Sequence, residues 1–274
     1  MSETAAELTP AATVVFLDSG VGGLPYMAAY RAASRSSRLV YVADRANFPY
    51  GEKSADEVSQ RIAGVVSRVI SRIGPAVIVI ACNTASVTAL GHLRARFDIP
   101  FIGVVPAVKP AALVTRNRRI GVLATQRTVD DPYVADLIRR FADGCHVQLV
   151  PAPDLIDRIE SGTIDGSGLD GILEQPVRSL HAARVDTVVL GCTHFVHIEA
   201  AISRALGDGI RVVDSVDGVV RQTRRVLENV SPPNPANVQT LSVDSLFITG
   251  VDDRTERLYR GFSSAFSLHF SGAL

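Results

Sequence analysis

The feature that most constrains this chain is an alternation. Short apolar, β-branched runs recur along its whole length, separated by longer stretches with helical spacing. TVVFLD (13–18), LVYVAD (39–44), AVIVIA (76–81), FIGVV (101–105), RIGVLAT (119–125), HVQLVPA (146–152), DTVVLG (186–191), IRVVDS (210–215) and DSLFITG (244–250) read as strands. Between them, LPYMAAYRAAS, ADEVSQRIAGVVSRVISRI, VTALGHLRARF, DPYVADLIRRFAD, GILEQPVRSLHAAR and VDGVVRQTRRVLENV read as helices. In the second of these, Val58, Ile62, Val65, Val66, Val69, Ile70 and Ile73 recur on one face, which should lie on a sheet. Continuously apolar strands are buried on both faces, so the expected class is α/β with doubly wound, mostly parallel sheets rather than a sandwich.

In such sheets ligands bind beyond the carboxyl ends of the strands. The residues there are Asp18-Ser19-Gly20, Asp44-Arg45, Cys82-Asn83-Thr84, Thr125-Gln126 and Cys192-Thr193-His194. Polar and reactive groups therefore collect at one edge. Two of these units have the same form, an apolar run, a cysteine and two polar residues, and they fall in different halves of the chain. That points to an internal duplication.

Composition removes several classes of function. The 28 basic and 28 acidic side chains cancel, so no bulk field draws nucleic acid or an anionic membrane. Arg116, Arg118 and Arg119, and Arg221, Arg224 and Arg225, read as solvated faces. There is no tryptophan and only 6% aromatics, which disfavours a base-stacking platform. No apolar run reaches the roughly 18 residues of a membrane span. The stretch MSETAAELTPAAT lacks the pattern of a signal peptide. Three widely spaced cysteines make no disulfide framework, and the expectation is a cytoplasmic protein with reduced thiols.

A lone buried cysteine is most often a small apolar residue, and Cys145, which precedes its strand, is read that way. Cys82 and Cys192 differ because both stand at the ligand edge with hydrogen-bonding followers. Cys82, Cys192, His194 and His197 do not offer a zinc spacing, so no metal is expected. A thiolate is polarizable, with an ordinary pKa of about 8.5, and suits proton exchange with carbon. One thiolate could take a proton from one face of a carbon while a thiol opposite returns one to the other face. Each sulfur then needs an acid–base neighbour, and Asp18 and His194 are the candidates. DSGVGG (18–23) is a glycine-rich turn into a helix with no Walker lysine and no GxGxxG spacing. It leaves open a carboxylate site or simple tight packing. NFPYGEKS (47–54) reads as a loop carrying Pro49, Tyr50 and Gly51. VVPAVKPA (104–111) reads as a connection, and SPPNPANVQ (231–239) as a proline-broken loop.

FLDSGVGGL, YVADRANFPYGEKS, IACNTAS, GVVPAVKPA, IGVLATQRTV, LGCTHF, VVDSVDGVV and FITG, in this order, resemble the cofactor-independent glutamate racemases of the aspartate/glutamate racemase superfamily. The resemblance implies two pseudo-twofold related α/β domains, 1–107 plus 215–274 and 108–214, with the active site between them. It implies interconversion of L- and D-glutamate for peptidoglycan synthesis, no cofactor, and a homodimer. Carried onto this chain, Cys82 acts on the D-enantiomer and Cys192 on the L-enantiomer, assisted by Asp18 and His194. Asp18-Ser19, Pro49-Tyr50-Gly51, Asn83-Thr84 and Thr193-His194 match the groups that hold the substrate. One departure is Val196-His197-Ile198, where the family usually has a proline and leucines after LGCTHF. The alternatives are an aspartate or hydantoin racemase of the same superfamily, or a non-catalytic relative that binds DNA gyrase.

Overall fold

The computed structural model describes residues 12–230 and 241–274. Most of MSETAAELTPAAT and all of SPPNPANVQ lie outside the described residues. The strands are β1 (Thr13–Asp18), β2 (Arg38–Ala43), β3 (Val77–Ile80), β4 (Phe101–Gly103), β5 (Arg119–Ala124), β6 (His146–Pro151), β7 (Thr187–Leu190), β8 (Arg211–Val213), β9 (Ser245–Ile248) and β10 (His269–Ala273). All nine runs expected from the sequence contain one. The tenth, HFSGA, was not anticipated; glycine and exposed positions hide it, and its pairing to β9 is irregular between Phe270 and Ala273.

The strands form two sheets, with orders β10-β9-β2-β1-β3-β4 and β6-β5-β7-β8, and every pairing is parallel. The segment β2-β1-β3-β4 and the whole second sheet share one order, which is the repeat suggested by the two cysteine units. Alternate residues of β1 feed opposite faces. Val14 and Phe16 join one apolar cluster and Val15 and Leu17 another, so both faces of the sheet are covered. The first of these clusters also takes Leu123, Val188 and Leu190 from the second sheet, so the two sheets share a continuous core.

The helix Ala55–Ile73 shows how local signals set an element. Ser54 and Glu57 form a capping box, Gly74 ends the helix in the left-handed region, and the expected apolar face is buried except for half-buried Ile70. Five helices escaped the sequence reading: Val108–Val114, Gln126–Val129, Pro153–Glu160, Glu199–Leu206 and Asp253–Ala265. The first four are eight residues or fewer, too short for periodicity to stand out, and the 13-residue fifth buries only Tyr259, Phe262 and Ser263, so its apolar face is sparse. The first corrects the reading of VVPAVKPA as a plain connection. Among the described residues no helix is long and apolar enough to cross a membrane.

Candidate active site

The two cysteines occupy equivalent places. β3 and β7 are central, fully buried strands, so the residues that follow them are fixed by a rigid frame. Cys82 has φ −135°, ψ 123° and Cys192 has φ −133°, ψ 134°. Each is the last extended residue before a helical turn: the helix Asn83–Arg96 after Cys82, the 3-10 turn Thr193–Ile198 after Cys192. Both sulfurs line a single cavity, although one strand belongs to each sheet. Ser19, Pro49, Tyr50, Gly51, Asn83, Thr84 and His194 line it too. At about 90 Å³ it admits a small molecule only.

Asp18 and Thr193 stand one layer beneath the wall. The Thr193 hydroxyl donates to Asp18 Oδ2 at 3.4 Å, and Asp18 lies within hydrogen-bond reach of the Cys82 thiol. The Tyr50 phenol turns away from the cavity and donates to buried Asp44 at 2.6 Å, so the 50–51 segment presents backbone rather than a hydroxyl. The Asn83 amide, assigned by its surroundings, donates to the Val104 carbonyl at 3.2 Å and accepts from the Thr193 N–H at 3.3 Å. Thr84 Oγ1 lies 3.1 Å from Thr125 Oγ1 and 3.2 Å from Thr128 Oγ1, so hydroxyls from both halves interlock across the cleft.

The glycine-rich turn resolves the choice left open by its sequence. A Cβ on Gly20 would come within 1.8 Å of Glu160 Oε1, and one on Gly22 within 2.5 Å of His194 Nδ1. Close approach of the opposite half requires these glycines. The free N–H of the turn does meet an anion, but it is the protein's own: Val21 N donates to Glu160 Oε1 at 2.7 Å.

Glu160 is the residue that sequence reasoning missed. It ends the short helix Pro153–Glu160, is only 6% exposed, and lies 2.6 Å from His194 Nε2. His194 Nδ1 in turn lies 3.7 Å from Cys192 Sγ. Burial alone would lower the His194 pKa, but its hydrogen bonds to Cys192 and Glu160, and their charges, hold it well above the ordinary 6.5. Burial would raise Glu160; the His194 hydrogen bond and charge, then Arg45 and the Val21 N–H, bring it below 4.5 instead. On the other side, burial pushes the Cys82 thiol well up, the Asp18 charge adds to this, and the Ala85 N–H at the helix start opposes it. Asp18 is itself raised by burial, against the nearby His194 cation. One sulfur thus faces a carboxyl group and the other an imidazolium.

His197 lies in the 3-10 turn Thr193–Ile198. Its Nε2 donates to the Val21 carbonyl at 2.9 Å and its ring meets Phe266 edge-on, with centroids 5.7 Å apart. Burial lowers its pKa to about 4, so it acts as a neutral donor bracing the glycine turn. Cys145, half-buried, packs against an apolar cluster of the second sheet away from this site. No group of three or more metal-ligating side chains occurs among the described residues.

Residues 24–223 match the family described as Asp/Glu/Hydantoin racemase. The chain is 39% identical over 263 residues to a glutamate racemase of Treponema pallidum, covering 94% of this chain and 95% of that protein. It is 42% identical over 225 residues to a glutamate racemase of Pectobacterium carotovorum, covering 81% and 78%. Among solved structures, the Escherichia coli glutamate racemase in complex with L-glutamate and the activator UDP-MurNAc-Ala superposes with a TM-score of 0.84 at 34% identity, covering 97% of this chain and 98% of that one. With two thiols facing one small cavity and these likenesses spanning nearly the whole sequence, the chain belongs to the Asp/Glu/Hydantoin racemase family.

Proposed function

We propose that this chain interconverts L- and D-glutamate by a two-base mechanism, with Cys82 and Cys192 acting on opposite faces of the α-carbon. The observation that carries the reading is the delivery of both sulfurs, by equivalent strand ends of two sheets, to one cavity. In the L-to-D direction, the Cys192 thiolate removes the α-proton. The electron pair left on carbon spreads into the substrate carboxylate, and the Cys82 S–H gives its proton to the opposite face. Cys192 ends as thiol and Cys82 as thiolate, and the reverse reaction starts from that state. The protonated His194 beside Cys192 attracts that sulfur when it is negative. Asp18, its own pKa raised, is placed to exchange a proton with Cys82.

An amino-acid α-proton is very weakly acidic, so the negative charge that develops on the substrate must be met by fixed donors. The Asn83–Arg96 helix starts at the cavity; the Ala85 N–H meets the Cys82 sulfur, and the N–H groups of Asn83 and Thr84 remain for a carboxylate. Ser19, Thr84, Thr125 and the backbone at Tyr50-Gly51 are the neutral donors around it. Ser19, Pro49, Asn83, Thr84 and His194 extend these roles as substrate-holding residues, and Asp18 and Thr193 support them from beneath the wall. The relatives matched over most of the chain carry the glutamate name, which favours glutamate over aspartate or a hydantoin.

The same reading places the protein in the cytoplasm as a cofactor-independent homodimer that supplies D-glutamate for peptidoglycan. It divides the chain into domains 1–107 plus 215–274 and 108–214, a division supported by strand membership in the two sheets. The experiment is incubation with either glutamate enantiomer in heavy water. Deuterium should enter the α-carbon and optical rotation should decay to zero; a protein that does neither is not a glutamate racemase.

A further inference from the structure

Glu160 is a single carboxylate serving four donors, and they come from both halves of the molecule. Oε1 meets Val21 N at 2.7 Å and His194 Nε2 at 2.6 Å. Oε2 meets the Tyr259 hydroxyl at 3.2 Å and Arg45 Nη1 at 3.3 Å. Arg45 follows β2 directly and opens the short 3-10 turn Arg45–Asn47. Its guanidinium also lies over the Phe48 ring, 4.3 Å from the centroid, and 5.9 Å from that of Tyr259. Phe48 in turn lines the cavity and faces the His194 ring, with centroids 6.4 Å apart. Arg45 therefore reaches His194 by two routes, through the charge of Glu160 and through the packing of Phe48, without lining the cavity itself.

We propose that Arg45 is a positioning residue for His194: its guanidinium holds the Glu160 carboxylate aimed at the ring, and clamps Phe48 against the imidazole. The inference rests on the two-thiol reading for its effect on turnover, but not for its effect on Glu160. Two further observations favour it. Arg45 Nε is buried with no hydrogen-bond partner, so the side chain is held by its Glu160 and aromatic contacts at the cost of its own satisfaction. The groups facing Glu160 are His194, Arg45, Tyr259, Asp18, Tyr41 and His197. Of these, Arg45 alone carries a guanidinium, a planar fork suited to a carboxylate and to stacking on an aromatic ring. Its removal takes a positive charge from beside a buried carboxylate, and so moves the protonation of Glu160 to higher pH.

The test compares Arg45→Met, which keeps the aliphatic stem, with Arg45→Lys, which keeps the charge without the stacking plane, in the full chain. Two quantities are read: the pH profile of kcat and KM, and the pH dependence of the His194 ring signals by NMR, assigned with His194→Gln. For Arg45→Met, kcat should fall roughly ten- to a hundredfold, the usual cost of losing an orienting partner. KM should stay within about twofold, because the residue does not touch substrate. The acid limb of kcat, and the acid transition of the His194 signals, should both move up by about one pH unit. Arg45→Lys should restore the limb and only part of the rate. An acid transition of His194 unchanged in Arg45→Met overturns the inference, as does an equal loss of rate in both variants with the limb unmoved, the mark of a purely structural residue. The NMR readout works whether or not the protein racemizes glutamate. A wild-type chain that exchanges no α-proton would therefore sink the functional reading by itself, leaving the Arg45 result to stand or fall on the His194 signals.

Discussion

The two thiol sites share a backbone and differ in everything around the sulfur. Cys82 and Cys192 leave their strands with nearly the same dihedral angles, each in a sheet whose neighbouring strands have the same order. Yet Cys82 meets a buried carboxyl group and the start of a 14-residue helix, whereas Cys192 meets an imidazolium held by a second carboxylate. In the proposed two-base exchange one sulfur takes a proton while the other gives one, and the two sulfurs have unlike neighbours. The Cys82 side has a short local partner, Asp18, at the end of β1. The Cys192 side has a relay of His194 and Glu160 that reaches across the cleft to Val21, Arg45 and Tyr259.

The largest effects should come from removing either sulfur. Cys82→Ala and Cys192→Ala should each lower racemization by more than ~10³-fold, as expected for groups that handle the transferred proton. Near-normal turnover in either variant, followed by polarimetry, would remove that sulfur from the mechanism and with it the symmetry of the comparison. Next come the helpers. Asp18→Asn and Glu160→Gln should each cost about 10²-fold in kcat, but they should separate on stability. Glu160→Gln leaves His194 without its counter-charge inside the protein and should cost ~3 kcal/mol in urea unfolding. Asp18→Asn replaces a group whose pKa burial already raises, and should cost far less. Equal losses of stability would mean that the relay is no more a strap between halves than Asp18 is.

The smallest effect is the pH dependence of that strap. Glu160 folds with its carboxyl held below 4.5, so its contribution is complete above that value and is lost as pH falls through the folded pKa. His194 folds with its imidazole held above 6.5, so its contribution is complete below 6.5 and is lost as pH climbs through the raised pKa. The pair is therefore worth most from 4.5 to 6.5 and fades on either side. The difference in urea midpoint between wild type and a Glu160→Gln/His194→Gln double variant should be widest in that window. A difference that is flat from pH 4 to 9 would show that the pair carries no net charge interaction in the fold.

Several features were legible along the chain because they are local. A continuous run such as VIVI announces a buried parallel strand, and the capping box and left-handed glycine around Ala55–Ile73 mark a helix at both ends. The polar residues after each strand announce a ligand edge, and eight of those strand-end residues do reach one cavity: Ser19, Cys82, Asn83, Thr84, Thr125, Gln126, Cys192 and His194. Glu160 gave no such sign. It ends an eight-residue helix just before Ser161-Gly162, in a polar stretch that reads as surface, and its partners lie 34, 99, 115 and 139 residues away. Arg45 is one of 28 basic residues, and nothing in its neighbours says that its guanidinium turns inward.

The sequence by itself determined the two parallel sheets, the repeat, and the emergence of two cysteines at equivalent strand ends, because period and burial act over a few residues at a time. Only the tertiary structure decided that the glycine turn holds the protein's own carboxylate, that Thr84 locks onto Thr125, and that Glu160 links His194 to the opposite half. The reason is physical. A buried charge must find its partners wherever the packed chain brings donors together, and that meeting depends on how two sheets are set against each other rather than on the spacing of residues within either.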